Sequence, residues 1–265
     1  MKKPTDEIRD IYSTFIEYKN EQNRIDRYEG NEHHYHASGA GGCSRKLWYE
    51  SVEKIERTNI ANETSKRLLR LGTVVHNDLQ EALTLYNNNI YNNIIYNNKV
   101  DIKLYNKEKE NYRKEKETKF HIEQEIRLEQ YNVRGFYDCV MENDKVYLID
   151  FKTIGSYPFK LKFGREPKAD TNVHQELQLA TYGLAVQEEF GRLDGMYLMY
   201  YNKDTSVMKD RQVSLSYLKQ AEIFWSNINR EHERGLPNFK EGVSPRYDWQ
   251  CKYCQFYDHC RPPFR

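Results

Sequence analysis

The chain has 265 residues, with 41 Lys and Arg against 40 Asp and Glu and a formal net charge of +1. That length suits one large domain with a substantial core, and the charge balance excludes a uniformly basic, nucleic-acid-coating protein, so any nucleic-acid surface must be a local patch. The opening MKKPTDEIRD lacks the apolar run of a signal peptide, and no stretch is apolar enough to span a bilayer, so a cytoplasmic protein with no membrane partner is expected.

In chain order, residues from about Thr5 to Tyr28 have helical periodicity, with Ile8, Ile11, Phe15 and Tyr18 on one face. A Gly- and His-containing loop leads to Cys43 and a short helical pattern, SRKLWYESV. Arg67 to Leu85 reads as a second helix, with Leu68, Leu71, Val75, Leu79 and Leu83 at helical spacing. Residues 86–119 are Asn-rich and then highly charged, which marks a polar insertion rather than core. FHIEQEIRL, VRGFYDCVM and KVYLIDFKT read as consecutive strands, the last two joined by an END hairpin turn. VHQELQLATYGLAVQEEF is helical, GMYLMYYNK and DRQVSLS form a further strand pair, and a last helix runs to Gly235 with Pro237 beyond it. The expected fold class is α/β (α+β), a mixed sheet flanked by helices, in a single domain without internal repeats.

Polar residues on these elements form a candidate catalytic set. In Leu148-Ile149-Asp150-Phe151-Lys152-Thr153, strand alternation puts Asp150 and Lys152 on one face. A carboxylate that binds a divalent metal, beside an ammonium that offsets phosphate charge, serves phosphodiester hydrolysis. Taken alone, the pair reads first as an ordinary ion pair on a strand, exposed pairs being common and weak. Asp138 on the preceding strand comes beside Asp150 across the hairpin, and two adjacent carboxylates repel unless a cation such as magnesium or manganese lies between them. Upstream, Glu123 and Glu125 share a strand face and one of them adds a third carboxylate, Glu125 being preferred. His76 stands on an otherwise apolar helix, where a satisfied core histidine is the alternative. Gln178 and Tyr182 lie one helical turn apart, facing the same way, or form a surface polar stripe.

The cysteines are split, with Cys43 early and Cys251, Cys254 and Cys260 closing the chain as C-x2-C-x5-C. In a reducing compartment such clusters are metal or redox groups before they are disulfides. By ligand type, four thiolates suit a [4Fe–4S] cluster or zinc equally, and His259 is a possible substitute ligand. Cys139, directly after Asp138, reads as a buried strand residue.

The ordered set G-x-x-x-H, G-x-x-D, D-x-K and Q-x-x-x-Y resembles the RecB-like branch of the PD-(D/E)xK nuclease superfamily. The early cysteine with Ser44-Arg45-Lys46-Leu47-Trp48-Tyr49, and the terminal cysteines, narrow the resemblance to its iron–sulfur subgroup. That subgroup includes CRISPR-associated RecB-like exonucleases, stand-alone viral relatives and the AddB-type nuclease domain. The resemblance spans roughly Ala37 to Cys260 and implies a restriction-endonuclease-like core. It implies metal ligation by His76, Asp138, Asp150 and the Phe151 carbonyl, with Lys152 positioning water and Gln178 and Tyr182 orienting the lysine or contacting a strand. It also implies a [4Fe–4S] cluster, zinc being the alternative, as a structural clasp on Cys43, Cys251, Cys254 and Cys260, favoured further by their one-plus-three spacing.

The implied activity is a metal-dependent deoxyribonuclease acting on single-stranded DNA ends, alongside CRISPR-adaptation or viral replication and recombination proteins. Arg45, Lys46 and Trp48 are candidate DNA contacts or a solvated helix face. A non-catalytic DNA-binding subunit is the competing reading, and a redox sensor a third.

Overall fold

The computed structural model describes residues 8, 11–20, 22, 34–58, 62–88, 118–165, 173–238 and 249–260. Residues 11–20 form helix α1, followed by a short strand β1 (Tyr35–His36) and the helix α2 (Ser44–Leu47), which continues as a π-turn to Val52. Next come α3 (Glu63–Asn87), β2 (Lys119–Leu128), β3 (Val133–Glu142), β4 (Val146–Ile154) and α4 (Ser156–Phe163). The chain ends with α5 (Val173–Phe190), β5 (Gly195–Asn202), β6 (Met208–Val213), α6 (Ser216–His232) and the single turns α7 (Trp249–Lys252) and α8 (Tyr257–Cys260).

The strands make one six-stranded mixed sheet. β3 pairs antiparallel with β2 along one edge, and β4 pairs antiparallel with β3 through Cys139↔Ile149 to Glu142↔Val146. β1 runs parallel to β3 at Val133 and Arg134. β4 and β5 are parallel from Tyr147↔Gly195 to Ile154↔Asn202, and β6 closes the edge antiparallel to β5. The parallel pair needs a crossover, which α4 and α5 supply. β3 lies inside the sheet and is buried along most of its length, Arg134 and Asp138 included.

Helix α5 is buried on almost every side, from Glu176 through Val186, because it lies between the sheet and α6. Small residues permit the approach: a Cβ on Gly183 would fall 2.8 Å from Leu218 Cδ2 and 2.9 Å from Met196 Sδ. Trp225 of α6 is fully buried and donates its indole N–H to Thr181 Oγ1 at 2.9 Å, which removes the cost of sealing that polar group.

The larger elements stand where the sequence pattern puts them, and the differences have local causes. On α1 the predicted apolar face is exposed at Ile8, Ile11, Phe15 and Tyr18, while Ile16 is the buried residue. Helix α3 fully buries none of its 25 residues; of its apolar stripe, Leu68 and Leu71 are exposed and Val75, Leu79 and Leu83 are half-buried. Helix α4 escapes the periodicity reading because it is short and carries Pro158 in its first turn, a position that needs no amide donor. Its leading Ser156 N–H is satisfied by Asp204 Oδ2 at 2.7 Å, from the β5–β6 turn. The polar insertion expected at 86–119 lies outside the described residues except at its ends. Among the described residues no helix is long and apolar enough to cross a membrane.

Gly135 of β3 is the tightest point beneath the site: a Cβ there would meet Ala37 Cβ at 2.9 Å and the Tyr182 ring at 3.0 Å. Gly135→Ala is expected to lower stability by about 1–3 kcal/mol through overpacking, measured by urea unfolding at constant m-value.

Candidate active site

The ladder between β3 and β4 ends at Cys139↔Ile149, so the next positions along the register, Asp138 and Asp150, lie just beyond paired backbone. The gap is closed differently: the Phe151 N–H donates to Asp138 Oδ2 at 2.6 Å. One carboxylate thus replaces a strand partner and is held against the other strand. Asp150 is 2% exposed. Its Oδ2 pairs with Lys152 Nζ at 2.5 Å. Burial raises the Asp150 pKa above the ordinary carboxylate range; the Lys152 ammonium pulls it back and the Asp138 charge raises it further.

His76 of α3 stands over this pair, Nδ1 3.6 Å from Asp138 Oδ1, with its ring edge-on to Phe151 at 6.0 Å. Burial works against its charged form, but the carboxylates of Asp138 and Asp150 outweigh that and raise its pKa. The helix comes close enough because residue 72 is glycine: a Cβ there would fall 2.7 Å from Thr153 Oγ1 on β4. From α5, Gln178 Oε1 accepts from Lys152 Nζ at 3.1 Å, and Gln178 Nε2 donates to Tyr182 Oη at 3.1 Å. Asp150, Lys152, Gln178 and Tyr182 therefore form one polar chain running from the buried carboxylate into the α5 layer. Because Lys152 can only donate, it fixes which end of the Gln178 amide faces it.

Glu125 is placed elsewhere. Its Oε1 meets Arg127 Nε at 2.7 Å and Arg134 Nε at 2.5 Å, and these arginines outweigh partial burial to hold its pKa low. The acid opposite Asp138 on β2 is Glu123, which accepts from Gln80 Nε2 of α3 at 2.6 Å. Sequence reasoning weighed the two acids and preferred Glu125; both share one face, and only the arginine partners distinguish them. Cys139 is buried as expected, its thiol pushed up to about 12 by burial and the neighbouring Asp138 charge.

A second cluster joins the two ends of the chain. Cys43, Cys251, Cys254 and Cys260 line one cavity of about 390 Å³, with Lys46 and His174, and none is in a disulfide. Burial pushes the Cys43 thiol up to about 11, the backbone amides of Lys46 and Arg45 oppose it, and Cys254 and Cys260 add to the rise. Thr58 N–H donates to Gln255 O at 2.9 Å, which ties the segments together beside the cysteines. Arg45 is buried in this clasp: it donates to Cys260 Sγ at 3.3 Å, to Tyr49 Oη at 3.1 Å and to the Pro237 carbonyl. Its guanidinium therefore faces the clasp and not a nucleic-acid surface. Lys46 is half-buried in the cavity wall, and Trp48 donates to Glu53 Oε1 at 2.7 Å while its ring meets His232 edge-on. Among the described residues no three His, Cys, Asp or Glu side chains are drawn close enough to enclose an ion as they stand.

A pair of strand-borne carboxylates with an adjacent lysine, on a mixed sheet covered by helices, is the arrangement of a nuclease. The chain belongs to the PD-(D/E)XK nuclease superfamily, whose family model matches residues 35–261. The crystal structure of SSO0001 superposes with a TM-score of 0.52 at 19% identity, covering 96% of each chain, a likeness of fold. A crystal structure from Eubacterium rectale, described as a proposed exonuclease, matches at TM-score 0.43 and 16% identity over 76% of this chain and 81% of that one. No curated protein matches.

Proposed function

We propose that the protein is a divalent-metal-dependent deoxyribonuclease whose site is built on Asp138, Asp150 and Lys152. The observation that carries this reading is the buried Asp150 carboxylate, paired with Lys152 and set beside the second carboxylate, Asp138. Oxygen donors of this kind suit a hard divalent cation, and two charges this close are otherwise mutually repulsive. The donor set therefore fits magnesium or manganese, with His76, Asp138, Asp150 and the Phe151 carbonyl as holders. When bound, such an ion polarises the scissile phosphate and lowers the pKa of an attacking water.

The chain's own residues do the rest. With a cation offsetting the Asp150 carboxylate, the Lys152 ammonium would orient the water and offset charge building on the phosphate. Gln178, backed by the Tyr182 hydroxyl, keeps the lysine extended toward the site. The phosphodiester bond breaks toward the sugar oxygen, with water as the nucleophile. The order of the motifs along the chain supports the RecB-like branch, and with it single-stranded DNA ends as substrate and an exonucleolytic mode, in CRISPR adaptation, viral replication or recombination.

For the clasp we assign a [4Fe–4S] cluster to Cys43, Cys251, Cys254 and Cys260, zinc being the alternative. Four thiols on one cavity wall are a soft donor set that fits either, and the one-plus-three spacing supports iron. Its role is structural, because joining residues so far apart makes metal binding a part of folding free energy.

Asp150→Ala and Lys152→Ala are each expected to abolish magnesium- or manganese-dependent cleavage of end-labelled single-stranded DNA while DNA binding persists by anisotropy. Undiminished cleavage in both removes the assignment. Cys43→Ala is expected to lose most bound metal and lower the melting temperature, measured by iron and zinc analysis and thermal unfolding after anaerobic purification. A variant without metal that melts and cleaves like the parent contradicts the clasp.

A further inference from the structure

Helix α3 delivers His76 to the carboxylate pair with no fully buried residue among its 25. Leu68, Leu69, Leu71 and Val74 are exposed, Val75, Leu79 and Leu83 are half-buried, and Tyr86 meets Phe120 of β2 edge-on at 5.4 Å. A series of polar contacts adds to this packing. Beyond the close approach at Gly72 and the His76–Asp138 contact, Gln80 Nε2 donates to Glu123 Oε1 at 2.6 Å. Nearer the end, Asn87 exchanges two hydrogen bonds with the Phe120 backbone, giving to its carbonyl at 2.6 Å and accepting from its amide at 3.0 Å.

His76 and Gln80 are four residues apart and share one helix face. The acceptor for Gln80 is also unusual. Glu123 occupies the register position opposite Asp138, between the pairs Ile122↔Cys139 and Gln124↔Tyr137, where the ladder skips one pairing. Its φ is +50°, a left-handed conformation that long L side chains adopt rarely, and only where the surroundings impose it. The ladder keeps its register on both sides, so this is a local turn of one residue and not an inserted bulge. The twisted strand thus offers a carboxylate to α3 at the level of Asp138, one helical turn from His76.

We propose that the Gln80–Glu123 hydrogen bond is a positioning device that sets His76 over Asp138 and Asp150. It rests on the reading of that pair as the metal site of a nuclease. Gln80 and Glu123 act through His76 by way of one helical turn; losing a support bonded directly to a ligand typically weakens metal binding by about 10–100-fold, and a support one turn away is expected at the low end of that range.

The test is Mn(II) titration calorimetry on the full chain, with melting temperatures in parallel. Gln80→Leu is expected to weaken Mn(II) binding about 10-fold or more with little change in melting temperature, and to have no further effect in a His76→Ala background. Glu123→Gln keeps an acceptor for Gln80 and should weaken Mn(II) binding clearly less than Gln80→Leu does. The exchange Gln80→Glu with Glu123→Gln reverses the bond at constant charge and should restore parental affinity. Parental affinity in Gln80→Leu, an additive loss with His76→Ala, or failure of the exchange overturns the inference. A loss in Glu123→Gln as large as that in Gln80→Leu also overturns it, because Glu123 would then be a ligand. If the parent itself binds no Mn(II), the metal-site reading falls and takes this inference with it; Mn(II) binding that ignores Gln80 overturns only the inference.

Discussion

Two carboxylates are brought together where β3 and β4 stop sharing hydrogen bonds, and much of the surrounding structure answers the electrostatic problem this creates. Asp138 is held by the Phe151 amide at 2.6 Å, and Asp150 is 2% exposed, so neither can turn freely to water. Like charges in a poorly solvated site repel strongly unless a cation intervenes. In the described structure Lys152 lies against Asp150 and His76 approaches Asp138. A divalent ion would answer the same need with more charge and directed bonds.

The layers around the pair follow from placing it there. The parallel β4–β5 pairing demands a crossover, and that crossover includes α5, whose Gln178 and Tyr182 reach back to Lys152. Packing α5 so tightly requires small residues at Gly183 and beneath Tyr182 at Gly135. From the other side α3 approaches over Gly72 and carries His76 on a helix with no fully buried residue.

Much of this was legible in the residues. Strand alternation put Asp150 and Lys152 on one face, the hairpin put Asp138 opposite, and helical spacing put Gln178 and Tyr182 together. Each of these depends on local geometry, which sequence spacing encodes. What the pattern did not carry was partner choice. Glu123 and Glu125 share a face, and only the arginines that take up Glu125 separate them. Arg45 looked like a solvated or DNA-facing cation, but its contacts come from Cys260 and Pro237, about two hundred residues away. The apolar face of α1 is exposed at Ile8, Ile11, Phe15 and Tyr18, and on α3 Leu68 and Leu71 are exposed while Leu79 and Leu83 are half-buried, because amphipathic spacing reports a helix without reporting what covers it. The short α4 was invisible because its start is capped by Asp204 from a distant turn.

Asp138→Asn tests the central claim most directly, because asparagine keeps the shape and the acceptor for the Phe151 amide while removing one charge. Measured by titration calorimetry and thermal unfolding, this variant is expected to lose Mn(II) binding while its metal-free form is at least as stable as the parent, the repulsion having been relieved. Unchanged Mn(II) affinity together with a lower melting temperature would contradict the account, since Asp138 would then be a structural acid and not half of a metal site.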